Sequence, residues 1–321
     1  MEKRENGLVD IVKFICAIIV VAGHCYLADV EGYAWFTNLV TLAVQVFFIF
    51  TGYYLVVAGT LSQESKAVSY VRHLFTMTMI WAVLYFVLNL LLTDKSSQVW
   101  GYDFINLWTE FLSSFNSGHL WYLQNMLIVV VLLLGLKKVS FSWKEVLAIL
   151  LISTVFYGRI TKAVLGIAVG MYLAGTDAKE DGKKSSGMLL IGVGTAAVAG
   201  GILWLAGDNA AVAGIMTNYL INIISILIAY AALHIKMATG KVNFVYLRKQ
   251  STIVYLVHLL LVPIVAKVMG KVFAGVAGLE EKGLAWCLIL TVVVTVGSVI
   301  AGSILMALSK KEKLSWLKKL Y

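Results

Sequence analysis

One stretch near the N-terminus combines ionisable side chains with a hydrophobic run. The stretch "DIVKFICAIIVVAGHC" carries Asp10, Lys13 and His24. On a helix that turns about 100° and rises about 1.5 Å per residue, Lys13 and His24 share one face and lie about 16 Å apart along the axis. An ammonium group binds anions, and an imidazole serves as a general base or nucleophile near neutral pH. The spacing therefore predicts an anion site at one depth and a base at another.

A purely structural interpretation of this stretch stays open. Asp10 lies three residues before Lys13, within reach of an ion pair, and His24 would then hydrogen-bond to a neighbouring helix. An ionisable residue in a spanning helix costs roughly 2.5–3.5 kcal/mol, and helix association rarely needs three of them on one stripe. The combination favours a functional role.

The composition places these residues in a membrane. Of 321 residues, 60% are hydrophobic and 13% are charged, and the mean hydropathy is +0.89. A soluble domain carries about a quarter charged residues. A single proline in the chain favours continuous helices. The basic residues follow membrane loops, so nucleic-acid binding is not expected, and the three cysteines lie in apolar segments without a metal-ligand pattern.

The chain predicts an all-α integral membrane protein, a single domain over 1–321. Apolar runs place about ten spans (with eight as the alternative) near 8–28, 35–58, 74–92, 119–136, 143–158, 160–175, 187–206, 212–235, 251–270 and 284–308. With both termini in the cytoplasm, 19 of the 26 Lys and Arg residues fall on the inside, as the positive-inside rule requires. Residues 93–118 then form an extracytoplasmic loop. Residues 309–321 form a basic amphipathic cytoplasmic tail that rests on the lipid bilayer.

Later spans add polar residues that are candidates for substrate binding. Four of them have a structural alternative: a hydrogen bond to another helix for Gln45, contact with lipid headgroups for Arg72, and an aromatic-belt position for His119 and Tyr122 in "HLWYL". His258 lies near the middle of the membrane, seven residues after Ser251. The candidates are Gln45, Arg72, His119, Tyr122, Tyr255 and His258.

Taken in order, these elements resemble the acyltransferase-3 family of membrane proteins. Lys13 and His24 match the basic residue, ten residues and histidine of that family's first helix, and Asp10 matches the acid before them. "VQVFFIFTGYYL", "YVRHLF", "HLWYL" and "STIVYLVHLLLV" are similar to elements of its second, third, fourth and late helices. The usual His-Pro pair is replaced by His258-Leu259. The same elements also resemble the membrane portion of vancomycin-resistance-type serine racemases. In those proteins a soluble racemase domain follows the membrane portion, so the resemblance implies either that this domain has been removed here or that the chain is a stand-alone member.

The resemblance implies an acyltransferase of the cell membrane. It would move an acyl group, expected to be acetyl, from cytoplasmic acyl-coenzyme A to an envelope glycan or small molecule outside. Acyl-coenzyme A is then the donor substrate, and no bound cofactor or metal is expected. His24 is implied as general base or acyl-accepting nucleophile, with Lys13 and Asp10 positioning the donor. The alternative function is uptake of serine, bound by the polar residues Asp10, Lys13 and His24. A third function is that of a membrane anchor that binds a partner without chemistry. Self-association is left open.

Overall fold

The protein folds into a bundle of α-helices. The computed structural model describes residues 6–92, 120–156, 158–177, 185–205, 209–235, 244–276 and 278–321, and no β-strand occurs among them. Two 3₁₀ segments, Leu27–Asp29 and Glu312–Leu320, accompany the helices. The α-helices in these ranges are α1 Gly7–His24, α2 Phe36–Val57, α3 Glu64–Leu92, α4 Trp121–Gly135, α5 Trp143–Val155, α6 Arg159–Asp177, α7 Ser185–Leu205, α8 Ala210–His234, α9 Phe244–Val272 and α10 Leu284–Leu308.

These helices confirm the predicted class of an integral membrane protein. Six of them, α1, α2, α3, α8, α9 and α10, are long and apolar enough to cross a bilayer, and shorter apolar helices include α4. A helix lies at the position of each predicted span, and the predicted break at Gly158 lies between α5 and α6. The orientation with cytoplasmic termini stays a prediction from the loop charges. The predicted loop 93–118 lies outside the described residues.

Two helices begin earlier than the hydropathy pattern predicts. The helix α3 starts at Glu64 rather than near residue 74, and α9 starts at Phe244 rather than near residue 251. Polar turns continue each helix beyond its apolar part, because backbone hydrogen bonding does not require apolar side chains. Arg72 and Arg248 consequently lie on helices rather than in loops.

Close packing between α2 and α6 fixes the position of α2. A Cβ atom at Gly52 would overlap the carbonyl oxygen of Ile167, and one at Gly170 would overlap that of Ile49. Small residues let two helix backbones approach in this way inside a membrane. The contact holds the turns of α2 that carry Phe47 and Thr51 against α6.

The helices α1 and α9 run parallel, side by side. Near their first turns Asp10 contacts Arg248, and near the end of α1 His24 contacts His258. The first turn of α1 is capped by Asn6, whose side chain accepts a hydrogen bond from the backbone of Leu8. The same side chain donates to the last turn of α8, so it joins the two helix ends.

The C-terminal segment folds back onto the bundle. The indole of Trp81 donates to the carbonyl oxygen of Leu320 at 3.0 Å, and the hydroxyls of Ser309 and Tyr321 lie 2.9 Å apart. Leu320 is buried, whereas Trp316 is 52% exposed. The predicted tail is therefore packed against α3 and α10 on one side. Its contact with lipid stays a prediction.

Candidate functional site

A buried ion pair joins α1 to α9. The Nε and Nη2 atoms of Arg248 each donate to one carboxylate oxygen of Asp10, both at 2.9 Å. The Asp10 side chain is 2% exposed and that of Arg248 is 40% exposed. Such a two-point, charge-assisted contact stabilises both a carboxylate and the approach of the helices. The alternative in which Asp10 pairs with Lys13 is wrong, because Asp10 faces α9.

Lys13 instead extends towards aromatic rings of α2. Its Nζ atom lies 5.0 Å from the ring centre of Tyr54 and 5.6 Å from that of Phe50. The negative faces of aromatic rings stabilise a cation where water is scarce. The ammonium group is thus held against two aromatic rings of α2.

Lys13 and Arg248 both line a cavity of about 250 Å³ in the half of the bundle that the loop charges predict to be cytoplasmic. We call it the inner cavity. Its wall also carries Thr51, Tyr122 and Tyr255. A cavity with two cations at one part of its wall and hydroxyl-bearing rings at another is suited to a long anionic ligand with a polar reactive end.

Aromatic rings of three helices meet at the wall of the inner cavity. The hydroxyls of Thr51 and Tyr122 lie 3.2 Å apart, and the rings of Tyr122 and Tyr255 meet edge-on at 5.5 Å. Phe47 lies 6.0 Å from the ring of Tyr122 and 6.4 Å from that of Tyr255. Tyr122 is buried in this cluster rather than placed at the bundle surface, which disfavours the aromatic-belt interpretation.

The ring series continues from the inner cavity to His24. Tyr255 lies 6.1 Å from His258, and His258 lies 5.2 Å from His24, all between ring centres. His258 is fully buried, and its Nδ1 atom lies 3.1 Å from the carbonyl oxygen of Val254. Because a carbonyl only accepts, Nδ1 carries the hydrogen, and this contact fixes the orientation of the ring. The two imidazoles, predicted from separate motifs, are thus brought together.

The other predicted residues are placed apart from this series. Arg72 is exposed and lies outside the wall of the inner cavity, whereas the adjacent His73 lines it. Gln45 is 1% exposed, and neither polar atom of its side chain has a hydrogen-bond partner among the described residues. The hydrogen bond predicted from Gln45 to another helix is therefore not formed there. His119 lies outside the part of the chain that the structure describes.

Arg248 is the principal site residue that the sequence interpretation missed. The sequence contains one signal for it. Arg248 precedes His258 by ten positions, and Lys13 precedes His24 by eleven, so both pairs place a basic residue about three helical turns before a histidine. The hydropathy pattern places Arg248 in a cytoplasmic segment before the predicted span 251–270. The structure places it on the second turn of α9.

A comparison with family models identifies the chain. A model described as an acyltransferase domain, that of the acyltransferase-3 family, matches residues 6–307. The chain therefore belongs to the acyltransferase-3 family, and this membership implies a membrane protein that transfers acyl groups. No match was found among curated proteins or solved structures.

Proposed function

We propose that the chain transfers an acyl group, expected to be acetyl, from cytoplasmic acyl-coenzyme A to an envelope glycan or small molecule outside the cell membrane. One observation carries the proposal: a series of rings joins a cavity with two cations to His24. The family match to an acyltransferase domain supports acyl transfer over the serine-uptake alternative.

The inner cavity is the site we assign to the donor. Lys13 and Arg248 attract the phosphate groups of coenzyme A, and the bond to Asp10 keeps the guanidinium group oriented. The acyl end then extends along Tyr122 and Tyr255, where a hydroxyl can donate to the thioester oxygen. The surrounding apolar side chains exclude water, which protects the thioester from hydrolysis.

His24 is the residue we assign to the chemical step. Its neutral imidazole removes the proton from an acceptor hydroxyl, and the hydroxyl oxygen attacks the thioester carbonyl carbon. The carbon–sulfur bond breaks, and the leaving thiolate of coenzyme A takes up a proton from the imidazolium. In the two-step alternative, the acyl group is held on the imidazole before it reaches the acceptor. His258 acts as a positioning residue, because its ring lies against His24.

Reconstituted protein tests this function. Proteoliposomes are supplied with radiolabelled acetyl-coenzyme A and purified envelope polysaccharide, and both free coenzyme A and polysaccharide-bound label are measured. The proposal predicts that both products appear together and only with the protein. Transport of labelled L-serine without any release of coenzyme A would overturn it.

A further inference from the structure

Part of the wall of the inner cavity comes from outside the bundle of α-helices. Tyr321, which follows the 3₁₀ segment Glu312–Leu320, lines this cavity, whereas the other lining residues lie on α1, α2, α3, α4 and α9. We call residues 312–321 the strap. The Nζ atom of Lys249 lies 5.6 Å from the ring centre of Tyr321, so the strap reaches the turn of α9 that carries Arg248.

The strap packs against the bundle through one face. A 3₁₀ helix has three residues per turn, so Leu314, Leu317 and Leu320 share a face. Leu320 is buried and the other two leucines are partly buried, whereas the remaining residues of Glu312–Leu320 are exposed. The strap is therefore attached to the bundle by a single row of apolar side chains.

The end of the strap that lines the inner cavity is also fastened by hydrogen bonds. The indole N–H of Trp81, a residue that is 3% exposed, donates to the carbonyl oxygen of Leu320 at 3.0 Å. The hydroxyl of Ser309 donates to the carbonyl oxygen of Met306 at 2.9 Å. Its one hydrogen is thereby used, so the hydroxyl of Tyr321, 2.9 Å away, donates to the Ser309 oxygen. These contacts fasten the strap to α3 and to the end of α10.

With the strap in this position the inner cavity is small for the donor assigned to it. Its volume of about 250 Å³ lies below the roughly 300–1,000 Å³ that small-molecule sites occupy, and acyl-coenzyme A is larger than most such molecules. The cavity must therefore widen to hold the donor. The helices of the wall are fixed by the packing of the bundle, whereas the strap is attached by one face and the polar contacts above. Segments attached in this way open at the lowest cost.

We propose that the strap is a lid on the inner cavity, which leaves the wall to admit the donor and returns before acyl transfer. The identity of the donor rests on the function proposed above, whereas the closure rests on the contacts of the strap. Opening releases Leu320 from Trp81 and Tyr321 from Ser309. Closing restores both contacts and shields the thioester from water.

Labelling of a thiol in the cavity wall tests the lid. Thr252, which lines the inner cavity and is partly buried, is replaced in the variant Thr252→Cys. The full chain in nanodiscs is then exposed to fluorescein maleimide, a bulky anionic reagent, and the labelling rate is measured. The native residues Cys16, Cys25 and Cys287 are all buried, and the chain without the Thr252→Cys change gives the background rate.

Two further changes in the Thr252→Cys background release the strap. The pair Trp81→Phe with Ser309→Ala removes both fastening groups but keeps an aromatic ring, and Leu317→Lys weakens the packed face. The matched control makes the same two substitutions at exposed positions of the strap, Trp316→Phe with Ser315→Ala. Circular dichroism of each sample measures the retained helix content.

The loss of one hydrogen bond raises the open fraction about fivefold, so both release variants should label at least about fivefold faster than the Thr252→Cys chain at equal helix content. The control should stay within about twofold of that chain. The lid is overturned if the release variants label no faster, or if the control is accelerated as much as they are.

The same samples separate the lid from the proposed function. Saturating acetyl-coenzyme A should slow the labelling of the Thr252→Cys chain, because the donor occupies the cavity. If labelling ignores acetyl-coenzyme A but still depends on the strap, the donor site and the acyltransferase function fail and the lid stands. If acetyl-coenzyme A protects the thiol but the release variants change nothing, the lid alone fails.

Discussion

Breaking the pair between Asp10 and Arg248 is expected to destabilise the bundle in a way that the structure quantifies. Removing one partner of a buried ion pair costs about 3–5 kcal/mol, because the other charge is left without compensation. Arg248→Gln strands the carboxylate of Asp10, which is 2% exposed, so the full range applies. Asp10→Asn strands a guanidinium group that is 40% exposed, and water reduces the cost to about 2–3 kcal/mol.

The double variant separates this pair from unrelated effects. When both charges are absent, neither is left uncompensated, so the double variant should lose about 2 kcal/mol less than the sum of the single variants. Unfolding in mixed micelles with increasing dodecyl sulfate, followed by circular dichroism, measures the three free energies. The pair Lys138–Glu145, in which neither side chain is buried, is the control and should show a smaller coupling. Additive single variants, within about 0.5 kcal/mol, would refute the role assigned to this pair.

Two further predictions concern packing and donor binding. Gly170→Ala should destabilise the bundle by about 1–3 kcal/mol in the same unfolding assay, because the added Cβ atom would overlap the backbone of α2. Gly175→Ala is the control: no heavy atom lies within 4 Å of its added Cβ atom, so the free energy of unfolding should change by less than about 0.5 kcal/mol. Lys13→Gln should raise the KM for acetyl-coenzyme A at least about tenfold, as the loss of a charge-assisted hydrogen bond predicts, and Lys13→Arg should restore most of it. An unchanged stability of the Gly170→Ala variant would contradict the close packing of α2 against α6. An unchanged KM of the Lys13→Gln variant would contradict the donor site.

Much of the fold could be predicted because membrane helices are encoded locally. Each apolar run of sufficient length predicts a helix by itself, and the helices α1 to α10 lie at the positions of the predicted spans. The starts of α3 and α9 could not be found in this way, since their first turns are polar. Lys13 and His24 were recognisable because both lie in a single helix at a helical spacing.

The parts of the site that depend on contacts between helices were not predictable. Arg248 and Asp10 are separated by 238 residues, and nothing in either segment alone specifies that they meet. The contact between His24 and His258 likewise depends on how α1 packs against α9. For Tyr122 the sequence leaves an aromatic-belt position and a binding role equally open, whereas the fold buries it beside Thr51.

The role proposed for His24 is the one on which the acyl transfer depends. The most direct measurement is the rate at which radiolabelled acetyl groups pass from acetyl-coenzyme A to envelope polysaccharide in proteoliposomes containing His24→Asn, compared with the wild type. Loss of a general base lowers the rate by at least about 100-fold. Stabilisation of the variant by acetyl-coenzyme A should persist, because Lys13 and Arg248 are intact. Transfer at close to the wild-type rate by the His24→Asn variant would contradict this role of His24.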